Sequence, residues 1–123
     1  MMAVYVSVRG WLECDNSQLA TVKEIIASNA DGHYSGGWGF PVQPFNWTSY
    51  VFYGGDIREG SVAWLLDQLR EMAALPPANE DLPEVQGLFM LTHEVDGLAE
   101  WQVRGGGVHA VAGDEGHQYL GPA

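Results

Sequence analysis

Four histidines are the residues best suited to bind a metal or move a proton: His33, His93, His109 and His117. None lies in an HExxH or HxH motif, and none is paired with a cysteine at zinc-site spacing. The last two flank an acidic pair, Asp114 and Glu115, which could hold a cation only loosely because nothing preforms the geometry. We therefore expect solvated or singly hydrogen-bonded histidines, with no metal site and no cofactor.

Cys14 is the only cysteine, and it lies where a strand-like segment meets a helix-capping sequence. Backbone amides at such a helix start could lower the pKa of the thiol, but no histidine is adjacent to activate it, and a lone cysteine is more often a buried packing residue. The GxSxG motif of serine hydrolases is also absent. Carboxylates could still converge in the fold, so the sequence leaves an enzyme open without favouring one and singles out no catalytic residue.

The segment GGDIREGS, residues 54–61, is predicted to be a loop and places Arg58 between Asp56 and Glu59. One interpretation is helix capping, with Asp56 or Ser61 as the cap and Glu59 near the positive helix end. The other is a partner contact in which Arg58 forms a bidentate pair with a carboxylate. Capping is the simpler of the two.

The stretch GHYSGGWGFPVQPFNW, residues 32–47, combines glycines, prolines and aromatic rings. It matches neither phosphate-loop motif and leads into a strand-like segment rather than a helix, so a bent hairpin is predicted. Its rings, together with Tyr50 and Phe52, are more than one hairpin can bury, and we expect Trp38 and at least one of Tyr34 and Phe45 to face solvent. The predicted partner-binding residues are Tyr34, Trp38, Phe45, Trp47, Asp56, Arg58 and Glu59.

Charge is the strongest global property of the chain, with sixteen acidic residues against five basic ones and a formal net charge of -11. Residues 78–123 hold eight of the acids and one base, Arg104. Direct binding to nucleic acid or to an anionic membrane is disfavoured, because such proteins present clustered lysine and arginine. The charge suits either solubility alone or association with a basic protein.

The pattern of the chain predicts βαββαββ, with a further short strand at VHAVA. Alternating and strand-rich segments lie at about 3–13, 47–53, 85–93 and 99–103, and helical spacing covers 17–29 and 61–75. This order predicts a single α+β domain over 1–123: a two-layer sandwich of two helices on one face of a mostly antiparallel sheet of four to six strands. The arrangement would be ferredoxin-like with an additional C-terminal strand, and residues 113–123 would form a loose tail.

The single cysteine favours a reducing compartment, and the N-terminal residues alternate like a strand rather than reading as a signal peptide. No apolar run approaches the roughly 20 residues needed to span a bilayer. These observations lead us to expect a cytoplasmic, bacterial-type protein.

Three functions fit these features. The first is a small acidic interaction module, an inhibitor or immunity-type protein that neutralises a basic toxin or nuclease. The second is a small enzyme or ligand-binding domain that uses the hairpin 32–47 as a pocket rim, with His33, Tyr34 and Trp38 there. The third is an acidic DNA mimic, although the chain is rich in apolar residues for that role. An exposed sheet edge could in addition pair two copies into a homodimer.

Overall fold

The computed structural model describes residues 3–41, 48–77, 79–81 and 84–121. The strands are β1 (Tyr5–Asp15), β2 (Trp38–Gly39), β3 (Thr48–Arg58), β4 (Gln86–His93), β5 (Gly97–Arg104) and β6 (Gly107–Ala112), and the α-helices are α1 (Asn16–Ser28) and α2 (Val62–Ala73). Short 3-10 helices occupy Ser35–Gly37, Glu59–Ser61 and Glu115–Leu120. Neither α-helix combines the length and apolar character needed to cross a membrane.

The six strands form one sheet in the order β2-β3-β1-β4-β5-β6, and every neighbouring pair is antiparallel. Both α-helices contribute to one hydrophobic core with the sheet. The predicted α+β class, with an antiparallel sheet and two helices, is therefore confirmed.

The ferredoxin-like detail of that prediction is not confirmed. Strand β3 lies between β1 and β2, and β1 lies between β3 and β4, as split crossovers require. Strand β2, however, contains only two residues. The first crossover, which runs from β1 through α1 to β2, therefore ends in a strand that is too short to be a full member of the sheet.

Alternation in the strands decides which side of the sheet is buried. In β1, Val6, Val8 and Leu12 are buried, whereas the residues between them are only partly covered. The helices add Val22 and Ile26 from α1, and Leu65, Leu69 and Met72 from α2, to the same core. We call the opposite side of the sheet the open face.

The start of α1 follows from the sequence DNSQ. Asp15 accepts a hydrogen bond from the Ser17 amide at 2.8 Å, and the Gln18 side chain accepts one from the Asp15 amide at 2.9 Å. This reciprocal pair is a capping box, which satisfies amides that a helix start leaves without partners. The helix-start prediction for this segment is correct.

The segment 54–58 was expected to be a loop, and this was wrong. It continues β3, because Ile57 is buried and pairs with Val6 while Arg58 pairs with Tyr5. Burial of an apolar side chain and a continuous ladder of backbone hydrogen bonds outweigh the low strand propensity of two glycines. Asp56 consequently lies in the strand and does not cap α2, and Ser61, at the cap position, makes no capping bond with its side chain.

The C-terminal segment is also more ordered than the predicted loose tail. Its 3-10 helix, Glu115–Leu120, begins with Asp114 accepting a hydrogen bond from the Gly116 amide at 2.7 Å. The Leu120 carbonyl accepts hydrogen bonds from the Thr92 hydroxyl at 3.0 Å and from the Arg9 guanidinium at 3.4 Å. These bonds hold the segment against the open face.

Candidate functional site

Three neighbouring aromatic side chains lie on the open face at the end of the β1–β3 pair that leads into α1. Alternation turns Trp11 of β1 and both Tyr50 and Phe52 of β3 away from the helices. The register places Phe52 opposite Trp11, and Tyr50 opposite Glu13. Tyr50 and Phe52 are 36% and 44% exposed, so both rings are accessible to a partner. We call Trp11, Tyr50 and Phe52 the aromatic strip.

A carboxylate borders the aromatic strip. The Tyr50 and Phe52 rings stack with centroids 6.4 Å apart and an interplanar angle of 16°. The Trp11 indole N–H donates to a Glu13 carboxylate oxygen at 3.0 Å. Aromatic faces attract cations, and a guanidinium can stack on a ring while pairing with a carboxylate. The strip and Glu13 together therefore have the chemistry to bind an arginine or lysine side chain.

The C-terminal 3-10 helix covers a different part of the open face. Besides the bonds to Leu120, a His117 ring nitrogen lies 3.2 Å from a carboxylate oxygen of Glu100 on β5. Since these contacts involve β4, β5 and Arg9, the segment leaves Tyr50 and Phe52 accessible.

Trp38 does not face solvent, contrary to the sequence-based expectation. It is 8% exposed, and it packs against Tyr53 edge-to-face with ring centroids 4.9 Å apart. The reason is the register of β2, which sets Trp38 opposite Tyr53 on the helix side of the sheet. Trp38 is thus part of the core and cannot serve as an exposed anchor.

The other aromatic residues predicted to bind a partner are Tyr34, Phe45 and Trp47. Tyr34 is half-buried, and its ring lies 6.3 Å from that of Trp64 on α2. Its hydroxyl accepts a hydrogen bond from the Arg58 amide at 3.2 Å. Phe45 and Trp47 fall outside the described residues.

Tyr34 and Arg58 line a cavity of about 620 Å³ at the end of the sheet where β3 leads into α2. Its remaining walls are Tyr5, Gly32, His33 and Ser61. Two of the three residues predicted for a pocket rim, His33 and Tyr34, are therefore brought together, whereas Trp38 is not among them.

The charged residues of the segment 54–61 do not act together. Asp56 lies on the open face, where it accepts a hydrogen bond from the Ser7 hydroxyl. Arg58 is exposed beside Tyr5, whose side chain raises the pKa of the guanidinium through a hydrogen bond. Glu59 instead bonds to the ring of His93.

Glu59, His93 and Asp96 form a group whose ligand atoms lie within 4.8 Å of one another, a spacing that could suit a metal. The hydrogen bonds argue against this use. The Nδ1 atom of His93 accepts from the amides of Val95 at 3.0 Å and Asp96 at 2.9 Å, so the ring proton is on Nε2 and is donated to Glu59. A metal on Nε2 would require a ring without any proton, so we interpret the group as a structural clasp between β4 and the start of α2.

Cys14 is buried on the helix side of β1. Desolvation, followed by the neighbouring Asp15 carboxylate, raises the pKa of its thiol to about 11. The sequence favoured a buried thiol over one with a lowered pKa, and the burial of Cys14 agrees with this; the capping amide bonds to Asp15 and not to the sulfur. The thiol is not prepared to act as a nucleophile.

Comparisons with known proteins add no assignment. No protein family matches the chain, and no match is found among curated proteins or solved structures.

Proposed function

We propose that the protein is a small interaction module, of the inhibitor or immunity type, that binds a basic protein partner such as a toxin or nuclease. The observation that carries this proposal is the aromatic strip with Glu13 on the open face. Tryptophan and tyrosine dominate the binding energy of protein interfaces, since they bury much area at little cost in side-chain entropy. Neighbouring exposed rings beside a carboxylate resemble the apolar patches with polar rims that mark interaction sites.

The negative charge of the protein favours a basic partner both at long range, during encounter, and at short range, in the contact itself. The net charge of -11 attracts a cationic protein over a distance and accelerates encounter. At contact, Glu13 can pair with a guanidinium that stacks on Phe52 or Tyr50. Arginine is itself enriched in interface hot spots, so the chemistry is complementary.

The single cysteine favours a reducing environment, and a bacterial cytoplasm is the compartment we propose. A DNA mimic is less favoured, because 46% of the residues are hydrophobic and the candidate surface is aromatic rather than a row of carboxylates.

The first test locates cation binding on the molecule. Hexa-arginine is titrated into ¹⁵N-labelled protein, and the indole N–H signals are followed by NMR. We expect the Trp11 signal to move, because its hydrogen-bond acceptor is Glu13, whereas the signal of Trp64, which donates to the Asn29 carbonyl at 2.7 Å, stays in place. Equal movement of both signals, or movement of neither, would contradict the proposal.

The second test uses variants and the natural partner. Protein retrieved from its native host should carry a stoichiometric basic protein that Phe52→Ala and Glu13→Gln both lose. Tyr119→Ala is the matched control, because Tyr119 is 80% exposed but lies on the C-terminal 3-10 helix. We expect losses of at least about tenfold in affinity at Phe52, typical of an interface anchor. Retention of the partner by Phe52→Ala would exclude the aromatic strip.

A further inference from the structure

The side chains that line the cavity beside Arg58 differ in charge from the chain as a whole. The protein has sixteen acidic residues and five basic ones. Yet the cavity is lined by one arginine, one histidine, two tyrosines, one serine and one glycine, and by no carboxylate. In an acidic protein, a concave surface whose described lining holds one cation, neutral hydrogen-bonding side chains and a histidine ring favours a negative group.

Acidic residues close to the cavity lining do not enter it: Asp56 and Glu94 line a separate cavity with Tyr5 and Ser7, and Asp31 and Glu59 are engaged in bonds of their own. Asp31 accepts hydrogen bonds from three amides of its own loop, those of His33 at 3.1 Å, Tyr34 at 2.6 Å and Ser35 at 3.0 Å. These bonds, that of Tyr34 most of all, lower the pKa of Asp31 and so keep it ionised as a loop anchor. Glu59 is held by His93, as described above.

Arg58 is available to a ligand. Within the described part of the chain its guanidinium makes no ion pair with a carboxylate. The adjacent phenol of Tyr5 stabilises the charged form and raises the pKa of the guanidinium. A planar cation without a carboxylate partner offers paired donors that match phosphate and carboxylate groups.

The walls of the cavity are fixed by other contacts. The Tyr53 hydroxyl donates to the Tyr34 carbonyl at 2.9 Å, and the Tyr34 hydroxyl accepts from the Arg58 amide. Ser61 lies at the N-terminal cap of the twelve-residue helix α2 without a capping bond from its side chain. The positive end of the helix dipole therefore adds to the charge of Arg58 on one side of the cavity.

We propose that this cavity binds a small molecule through an anionic phosphate or carboxylate group. Arg58 supplies the charge, and Tyr5, Ser61 and His33 surround the group with polar atoms. The volume of about 620 Å³ lies within the range of small-molecule sites. The site lies outside the aromatic strip and does not depend on the interaction function.

Titration with inorganic phosphate and, separately, with acetate tests the proposal, with ionic strength held constant by sodium chloride. Amide spectra of ¹⁵N-labelled protein report the binding. We expect saturable shifts at Gly32, His33 and Ser61 with at least one of the two anions. Saturation by phosphate alone assigns a phosphate ligand, by acetate alone a carboxylate ligand, and by both a general anion site.

Two variants of equal charge separate the site from the general field of the protein. Arg58→Gln should weaken binding by at least about tenfold, the range for a lost charge-assisted hydrogen bond. Arg70→Gln, which removes an exposed cation paired with Asp67 at 3.6 Å on α2, should leave it unchanged. Linear shifts that do not saturate with either anion, or equal losses in the two variants, would overturn the proposal. Circular dichroism confirms that both variants are folded.

Discussion

The reactivity of neighbouring side chains in β1 depends on which side of the sheet each one occupies. Cys14, on the helix side of β1, keeps its proton because its surroundings exclude water. Glu13, its neighbour on the open face, is accessible and holds the Trp11 indole. One step along a strand thus separates an inert thiol from a carboxylate that can receive a cation.

The raised pKa of Cys14, from 9.0 to about 11, predicts low thiol reactivity. Two pKa units correspond to about 100-fold less thiolate at the same pH, and burial restricts access further. We expect the folded protein at pH 8 to react with Ellman's reagent at least about 100-fold more slowly than the chain unfolded in urea. Similar rates in the two states would show that the thiol is accessible and ionised.

The same shift predicts alkaline destabilisation. A group whose pKa is higher in the folded state contributes stability that is complete below its unfolded pKa and is lost as pH rises through the folded value. For Cys14 the window runs from 9.0 to about 11, and for Tyr53 from 10.0 to about 12. Urea unfolding across these ranges should show a falling free energy of unfolding. Cys14→Ala should remove the lower part of this fall and Tyr53→Phe the upper part; unchanged slopes in both variants would contradict the assignment.

At this scale the sequence predicted that some rings are exposed, but not which ones. A surplus of rings with some exposed was correct, and Tyr50 and Phe52 belong to it. Trp38 was assigned to solvent because the register of a two-residue strand cannot be read from local spacing. The exposure of Trp11 to the open face could have been predicted, because alternation along the first strand places Trp11 on the same side as Ser7 and Arg9.

Among the elements, the strand pair β1 and β4 depends on a glycine. A Cβ atom built on Gly10 would lie 2.2 Å from the Leu88 carbonyl oxygen and 2.6 Å from a carbon of the Phe89 ring. Phe89 is fully buried opposite Gly10. The glycine therefore permits the large ring of one strand to lie across the backbone of the next.

We expect Gly10→Ala to destabilise the protein by about 2–3 kcal/mol, because backbone and a buried ring must move. Gly54→Ala is the matched control, since it lies on the neighbouring strand β3 with nothing within 4 Å of a built Cβ. It should be neutral or stabilise by up to about 1 kcal/mol. Chemical unfolding of the two variants measures the difference, and equal midpoints would refute the packing argument.

Element positions followed from the sequence wherever pattern and capping agreed. The capping box fixed the start of α1, and apolar spacing fixed α2. The extension of β3 through residues 54–58 was missed, because it depends on pairing with β1, which is distant in sequence. The same holds for the C-terminal 3-10 helix, whose bonds are to Arg9 and Thr92.

For the whole molecule, the edge of the sheet at β6 is the surface at which we expect two copies to pair. The Gly113 amide donates to the Leu98 carbonyl at 3.1 Å, so the antiparallel alternation directs the backbone groups of Val108, Ala110 and Ala112 outward. Strand β6 contains no charged residue and no proline, the usual protections of an edge. Antiparallel pairing of two such edges would form about six backbone hydrogen bonds.

Charge sets the conditions for such a dimer. Two chains of -11 repel each other, but β6 itself is neutral. Antiparallel pairing brings the turn after Arg104 in one copy towards Asp114 and Glu115 of the other, which is locally attractive. Because the overall repulsion is screened within about 10 Å at 0.1 M salt, the homodimer anticipated from the sequence should strengthen as salt is added.

Sedimentation equilibrium at about 0.02 M and about 0.5 M sodium chloride, on either side of the screening range, tests this prediction. The wild type should gain dimer at high salt. Ala110→Pro should remain monomeric yet folded, because it removes only an outward N–H, whereas Ala110→Ser retains that N–H and the dimer. His109→Pro should instead lose stability, since its amide bonds to β5. A wild type that is monomeric at both salt concentrations, or an Ala110→Pro variant that still dimerises, would exclude β6 as an interface between copies.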